Sequence, residues 1–328
     1  MKKHSLEAEI ILEEPPSGFG ELATPICFDL ASVLKKSPKD IAEEFTLAAD
    51  ISKASFIRAV KAVNGYLNFY LDYEKFTPIL IKELRALDKD YGRMKKKEKV
   101  ILEHTSANPD GALHIGHGRN AVIGDTLARI MRFAGYDVET QFYVNDMGKQ
   151  LAIVVFGLRK LKLDRSKKKD HAIAEVYAKA NSMLEEDASC EEEISKLLRD
   201  YEDGDEGVKK EFEDASGYCL EGIKETLGRM GVTYDSFVWE SRFVRDLSVK
   251  KILDRLKKVK YAKSEEVLYL DLKSFGIDKE LILTRKDGTY LYTTRDIAYH
   301  IWKSEKGMVI DVLGADHKLV AKQLQAVM

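Results

Sequence analysis

The segment Val100-Ile101-Leu102-Glu103-His104-Thr105-Ser106-Ala107-Asn108-Pro109-Asp110-Gly111-Ala112-Leu113-His114-Ile115-Gly116-His117 decides how the chain is read. Val100, Ile101 and Leu102 are a short apolar run that reads as a strand. A loop of Ser, Asn, Pro and Gly follows. A helical period comes next, with Ile123, Leu127, Ile130, Met131 and Ala134 at i, i+4, i+7, i+8 and i+11. Gly135 is placed to end that helix, and Val138 to Val144 reads as a second strand. Strand, helix, strand is a βαβ unit, which implies a parallel sheet with a right-handed crossover.

In such a sheet the crevice at the carboxyl ends of the strands is the default ligand site, and the loop after Leu102 opens into it. His114 and His117 are three residues apart, so at a helix start they face the same way. A helix N-terminus offers free N–H groups and a partial positive charge, both suited to phosphate. Two imidazoles donating hydrogen bonds there stabilise the charge that develops when an α-phosphate is attacked and pyrophosphate leaves. Gly116 lets a nucleotide approach the backbone with no side chain in the way. The chemistry served is adenylation of a substrate by ATP. Two histidines with no nearby third ligand and no intervening Glu do not make the usual helical zinc pair, so no metal ligands are assigned.

Outward from this unit, residues 1–91 read as a small α+β domain. Leu22 to Lys35 is an apolar-rich helical pattern. Ser37-Pro38 is an N-cap followed by proline at the first helical position, with Asp40 in the first turn. Phe56 to Val63 and Tyr66 to Asp72 are strand-like, separated by Asn64-Gly65, a dipeptide that favours the positive-φ turns of a tight hairpin. Leu67, Phe69 and Leu71 alternate onto one face. The run Arg93, Lys95, Lys96, Lys97, Glu98 and Lys99 reads as a solvated connector.

Residues 92–328 then hold the nucleotide-binding unit. Its rhythm is interrupted from about 150 to 281 by long charged helices, dense in acid at Glu185, Glu186, Asp187, Glu191, Glu192 and Glu193. Strand signals return at Val267 to Leu270, at Tyr290 to Thr294 around the turn-like Asp287-Gly288, and at Met308 to Leu313. Leu319, Gln323, Leu324 and Val327 carry a helical period up to Met328 with no glycine, proline or cap, as expected of a fragment.

Composition bounds the rest. The chain has 328 residues, 45% hydrophobic and 33% charged, a globular balance large enough for two or three domains. The formal net charge of -2 announces no nucleic-acid partner, so any such contact would use local basic patches. Cys27, Cys190 and Cys219 lie far apart in no metal-like spacing, which argues for a reducing compartment. No signal-peptide core follows Met1 and no apolar run spans a bilayer, so a cytoplasmic protein is expected.

His114-Ile115-Gly116-His117 resembles the first signature of class I aminoacyl-tRNA synthetases. The wider string Ser106-Ala107-Asn108-Pro109 through His117-Gly118-Arg119-Asn120 resembles arginyl-tRNA synthetases. So do Tyr143-Val144-Asn145-Asp146-Met147-Gly148 and Tyr292-Thr293-Thr294-Arg295-Asp296. Phe19-Gly20-Glu21-Leu22-Ala23-Thr24 and Asn64-Gly65-Tyr66-Leu67-Asn68-Phe69 are similar to that family's N-terminal extra domain. The resemblance implies an α/β fold: a Rossmann-like parallel-sheet catalytic domain with a mainly helical insertion, preceded by the small α+β domain.

It also implies a reaction, in which arginine and ATP give arginyl-adenylate and the arginyl group passes to the terminal ribose of tRNA(Arg). His114 and His117 would hold the ATP phosphates, with Gly116 beside the adenine. Glu103, Asn108, Tyr292 and Asp296 would hold arginine, and Asp316 or His317 would line the substrate. Ala107, Asn108, Pro109, Leu113 and Ile115 fill out the signature. Mg²⁺ is expected with ATP, bound mainly through phosphates, and the chain is expected to be monomeric. A planar guanidinium suits paired carboxylates, and Glu103 and Asp296 could supply them. Each also has a plainer reading: Glu103 as a capping or surface acid, Asp296 as a partner of Arg295 or Lys303.

The second, lysine-rich class I signature does not occur between Leu313 and Met328, nor does the helical anticodon-binding domain, so an N-terminal fragment that charges tRNA poorly is expected. A small nucleotidylyltransferase shares the paired-histidine logic but needs neither the N-terminal domain nor the insertion. A non-catalytic tRNA-binding paralogue is the other alternative, against which the intact Glu103, Asn108, His114, Gly116 and His117 argue.

Overall fold

The computed structural model describes residues 10–94, 96–286 and 289–328, apart from the side chain of Asp316. The Asp287-Gly288 turn and the Asp316 side chain therefore lie outside the described part. The chain divides into two compact units, Met1–Gly92 and Arg93–Met328.

In the first unit, β1 (Leu22–Thr24) precedes α1 (Ile26–Leu34) and α2 (Pro38–Ala48), and a hairpin of β2 (Ile57–Val63) and β3 (Tyr66–Leu71) leads into α3 (Tyr73–Leu87). The three strands form an antiparallel sheet in the order β1-β3-β2. The helix expected from Leu22 begins at Ile26, because Leu22–Thr24 pairs with Leu67–Phe69 of β3 and Pro25 stands at the cap. Ser37 caps α2, its Oγ accepting the Asp40 N–H at 3.2 Å. The hairpin turn has positive φ at both central residues, 50° at Asn64 and 89° at Gly65, which is why this dipeptide closes it. Cys27, Leu30, Ile41, Ala42 and Leu67 form the core, with Phe69 packed against it.

In the second unit, β4 (Lys99–His104), α4 (Ile115–Phe133) and β5 (Asp137–Val144) make the βαβ unit. A helical block follows: α5 (Lys149–Lys160), α6 (Lys169–Glu186), α7 (Ser189–Glu202) and α8 (Glu206–Arg229). Next come β6 (Ser236–Trp239), α9 (Glu240–Arg245), α10 (Ser248–Leu256), β7 (Ala262–Ser264), β8 (Leu268–Leu270) and β9 (Leu281–Ile282). The unit ends with α11 (Tyr292–Ser304), β10 (Met308–Val312) and α12 (Lys318–Val327). The main sheet has the order β10-β4-β5-β6, with every pair parallel. The span read as one insertion thus contains a strand of the main sheet: β6 pairs with β5, and a separate antiparallel sheet β7-β8-β9 follows it.

Two other readings change. The stretch Tyr292–Thr294 is the first turn of α11 and not a strand; the Thr293 and Thr294 hydroxyls donate to the Ile282 and Leu283 carbonyls, each at 2.6 Å. On α4 the buried residues are Ala121, Gly124 and Ala128, while Ile123 and Ile130 are exposed. The helix was read correctly and its buried face only in part, since Leu127 and Met131 do pack against the core formed by Val100, Leu102, Ala128 and Val138. Small residues face the sheet because α4 lies close to it, as the position of Gly124 shows: a Cβ there would lie 2.2 Å from the His104 ring. One core fills the helical block, around Leu151, Phe156, Phe212, Cys219 and Ile223. A second joins α10, α11 and the small sheet around Ile252, Leu253, Leu283, Ile297 and Tyr299.

Candidate active site

Register builds the site. In the parallel sheet Asp311 of β10 pairs with Glu103 of β4, Glu103 with Gln141 of β5, and Gln141 with Ser236 of β6. Paired positions point to one side of a sheet, so four polar residues form a row across it. Helix α11 covers that row. Tyr299 donates its hydroxyl to Gln141 Oε1 at 2.9 Å. Lys303, fully buried, donates to Glu103 Oε2 at 2.6 Å and to Asp311 Oδ1 at 2.5 Å. His300 lies between Asp296 on its own helix (Nδ1 to Oδ1, 3.3 Å) and Asp311 (Nε2 to Oδ2, 3.2 Å). Burial pulls the His300 pKa down, but hydrogen bonds to Asp296 and Asp311 outweigh it and bring it up to about 10, so the ring is charged at neutral pH.

The chain leaves β4 through strained backbone. Thr105 and Ser106 have φ of 72° and 41°, and a β-branched residue rarely adopts such values. The conformation is held from several sides: Tyr234 donates to Thr105 Oγ1 at 2.7 Å, Ser106 Oγ donates to Glu103 Oε1 at 2.8 Å, and the Tyr143 N–H donates to Ser106 Oγ at 3.1 Å. His104, behind this turn, is kept neutral by burial, which takes its pKa down to about 4.

At the start of α4 the two histidines cap each other. His114 Nδ1 accepts the N–H groups of Gly116 at 3.0 Å and His117 at 3.4 Å, while His117 Nδ1 accepts that of His114 at 3.4 Å. The rings stack at 3.7 Å. A ring nitrogen that accepts carries no proton, so each neutral imidazole bears its hydrogen on Nε2, free to donate outward. Burial, then the neighbouring His114, lowers the His117 pKa and favours this neutral form. Gly116 has a further reason to be glycine: a Cβ would come within 2.8 Å of the His114 ring.

A cavity of about 460 Å³ joins these parts, and Glu103, Asn108, His114, Gly116, His117, Asp296 and His317 all line it. Asn108 donates to Gln150 Oε1 at 2.6 Å. Ala107 and Pro109 are buried, Leu113 packs on the helical-block core, and Ile115 is exposed. Tyr292, 59% exposed at the start of α11, does not line this cavity. A larger groove of about 710 Å³ among α5, α6 and α8 holds none of the residues singled out in the sequence. Glu103 is no surface acid, and Asp296 sits against His300; Arg295 instead pairs with Glu240 at 2.6 Å, both buried. His300 and Asp311 escaped the sequence reading, and Lys303 entered it only as a partner for Asp296. A signal was there, since Asp296, His300 and Lys303 recur at i, i+4 and i+7 on a helix whose other residues include Ile297, Ala298 and Tyr299. Glu103, His300 and Asp311 bring ligand atoms within 4.8 Å of one another, but the Lys303 ammonium bridges the two carboxylates and the His300 ring is itself charged, so this trio does not suit a metal ion.

A parallel sheet with paired histidines capping its first helix, over a crevice at the strand ends, is the arrangement expected of a class I aminoacyl-tRNA synthetase catalytic domain. Residues 80–324 match the family described as tRNA synthetases class I (R), catalytic domain, and residues 1–71 the one described as arginyl tRNA synthetase N terminal domain. The chain belongs to the arginyl-tRNA synthetase family. The arginine–tRNA ligase of Methanocaldococcus jannaschii is 51% identical over 328 aligned residues, covering 98% of this chain and 58% of the relative. The Thermus thermophilus arginyl-tRNA synthetase structure matches at TM-score 0.66 and 30% identity, over 91% of this chain and 50% of that one. The Plasmodium falciparum arginyl-tRNA synthetase, 16% identical at TM-score 0.69, shares the fold. The chain thus spans less than two thirds of the length of these relatives. With both domains matched, the small nucleotidylyltransferase reading falls away. Among the described residues no helix is long and apolar enough to cross a membrane.

Proposed function

We propose that this chain carries the amino-acid activation site of an arginine–tRNA ligase. The carboxylate of L-arginine attacks the α-phosphate of ATP, pyrophosphate leaves, and arginyl-adenylate forms. The terminal ribose hydroxyl of tRNA(Arg) then takes the arginyl group and AMP leaves. The observation that carries this reading is one cavity holding both the paired histidines and the Glu103 and Asp296 carboxylates.

The Nε2–H groups of His114 and His117, with the free N–H groups of α4, would hold the ATP phosphates and stabilise the charge that grows as pyrophosphate departs. Gly116 leaves room for the adenine. Glu103, Asn108 and Asp296 would hold arginine, with Tyr292 near the guanidinium by family likeness alone, and His317 would line the pocket. Charge supports a cationic substrate: Glu103, Asp296 and Asp311 face two cations, Lys303 and protonated His300, which leaves one negative charge for a guanidinium to neutralise. Mg²⁺ enters with ATP and is held through the phosphates, where it offsets their charge.

Calorimetric titration with L-arginine, L-lysine and L-citrulline tests the assignment. Saturable arginine binding at least ~10-fold tighter than either control is expected, since lysine lacks the planar fork and citrulline lacks the charge. Equal binding of citrulline would refute a carboxylate-based site.

A further inference from the structure

Tyr143 stands apart from the rest of the cavity wall. Its backbone N–H is tied to Ser106 Oγ, and its ring lies flat on Tyr299 with centroids 4.3 Å apart, so β5 and α11 fix it from two sides. Yet its hydroxyl, shut away from solvent, has no hydrogen-bond partner among the described residues. The stacked neighbour Tyr299 does have one, in Gln141. An unpaired buried hydroxyl is costly, and packing alone would be served equally by phenylalanine. Around this hydroxyl act the carboxylates of Glu240, Asp296 and Glu103 and the guanidinium of Arg295, an environment with an excess of negative charge. Burial first, and then those carboxylates, drive the phenol pKa far above its ordinary value, so the group stays a neutral hydroxyl with lone pairs to offer.

We propose that Tyr143 is a substrate-contacting residue whose hydroxyl accepts a hydrogen bond from the planar cationic head group of the bound amino acid. The inference rests on the arginine reading above and adds a contact to it. A guanidinium presents five N–H donors in one plane. Glu103, already accepting from Lys303 and Ser106, and Asp296, already against His300, have part of their capacity in use. The Tyr143 hydroxyl is a further acceptor, held on a rigid ring of the cavity wall and with no donor of its own among the described residues. The segment from Tyr143 to Gly148, prominent in the sequence, thereby gains a role at the substrate.

Tyr143→Phe removes that oxygen and nothing else. L-arginine is titrated by calorimetry into the wild-type chain and the variant, and the thermal midpoint of each is recorded without ligand. The expected result is a ligand-free midpoint unchanged or raised, because the orphan hydroxyl is gone, together with arginine affinity reduced about ten-fold. Equal arginine affinity in the two proteins overturns the assignment. So does a variant whose ligand-free midpoint falls along with its affinity, since that marks a structural hydroxyl. Failure of the wild-type chain to bind arginine would overturn the substrate reading itself and this contact with it, an outcome distinct from the other two.

Discussion

Lys303 carries more of this molecule than its single charge suggests. It is buried in the second unit, and its ammonium lies between Glu103 and Asp311, carboxylates from neighbouring strands. Breaking a buried pair costs far more than the pair is worth against an apolar core, because the remaining charges lose their compensation. Lys303→Met, nearly isosteric, is therefore expected to lower stability by about 3–5 kcal/mol in a denaturant titration. His300 behaves differently with pH. Its folded pKa, raised to about 10, exceeds the unfolded value near 6.5. Its contribution is thus complete below about pH 6.5 and is lost as pH rises toward 10. The groups facing it are Asp296 and Lys303 on its own helix and Asp311 on β10. The stability gap between wild type and His300→Gln, measured at intervals from pH 6 to 10, is expected to narrow as pH rises. A constant gap would show that the ring is neutral. The spacing of Asp296, His300 and Lys303 puts them on one helix face, but nothing local says that Asp311 will stand beside Glu103 to complete the cluster.

The elements were legible where local chemistry dictates them. Asn64-Gly65 specifies a hairpin turn, Ser37-Pro38 a helix start, and the apolar run into β4 a strand, and each was read from a few adjacent residues. Failures came where tertiary pairing decided. Leu22–Thr24 has a helical pattern yet adds to β3; Ser236–Trp239 is too short to stand out yet completes the main sheet. On α4 a period built from large apolar residues found only part of the buried face, Leu127 and Met131, since the close approach to the sheet selects Ala121, Gly124 and Ala128 at its centre. Gly124→Ala tests that geometry. With a Cβ 2.2 Å from the His104 ring, the helix must shift or the ring must move, and a loss of about 2–3 kcal/mol is expected from thermal or denaturant unfolding. At Gly116 the same substitution meets only the His114 ring. It should spare stability and disturb the cap that orients the two Nε2–H groups, so ATP binding, measured by calorimetry, should weaken by about ten-fold while the thermal midpoint holds.

For the whole molecule, two units with separate cores joined through a basic run predict where it opens first. Limited trypsin digestion is expected to cut first between Arg93 and Lys99, and mass spectrometry of the early fragments would show it; first cuts inside the helical block would contradict the division at Gly92. The row Asp311, Glu103, Gln141 and Ser236 also bears on how the chain is made. Glu103 leaves the ribosome 200 residues ahead of Lys303, its buried counterion. Translation at roughly 5–20 residues per second puts roughly 10–40 s between the two. Through that interval β4 has β5 and β6 to pair with but no β10, and a carboxylate destined for the interior has no cation to meet it. Until β10 is synthesised the β4 edge of the main sheet lacks both its partner strand and the counterion of Glu103, which makes this region a natural client of whatever shields unfinished chains.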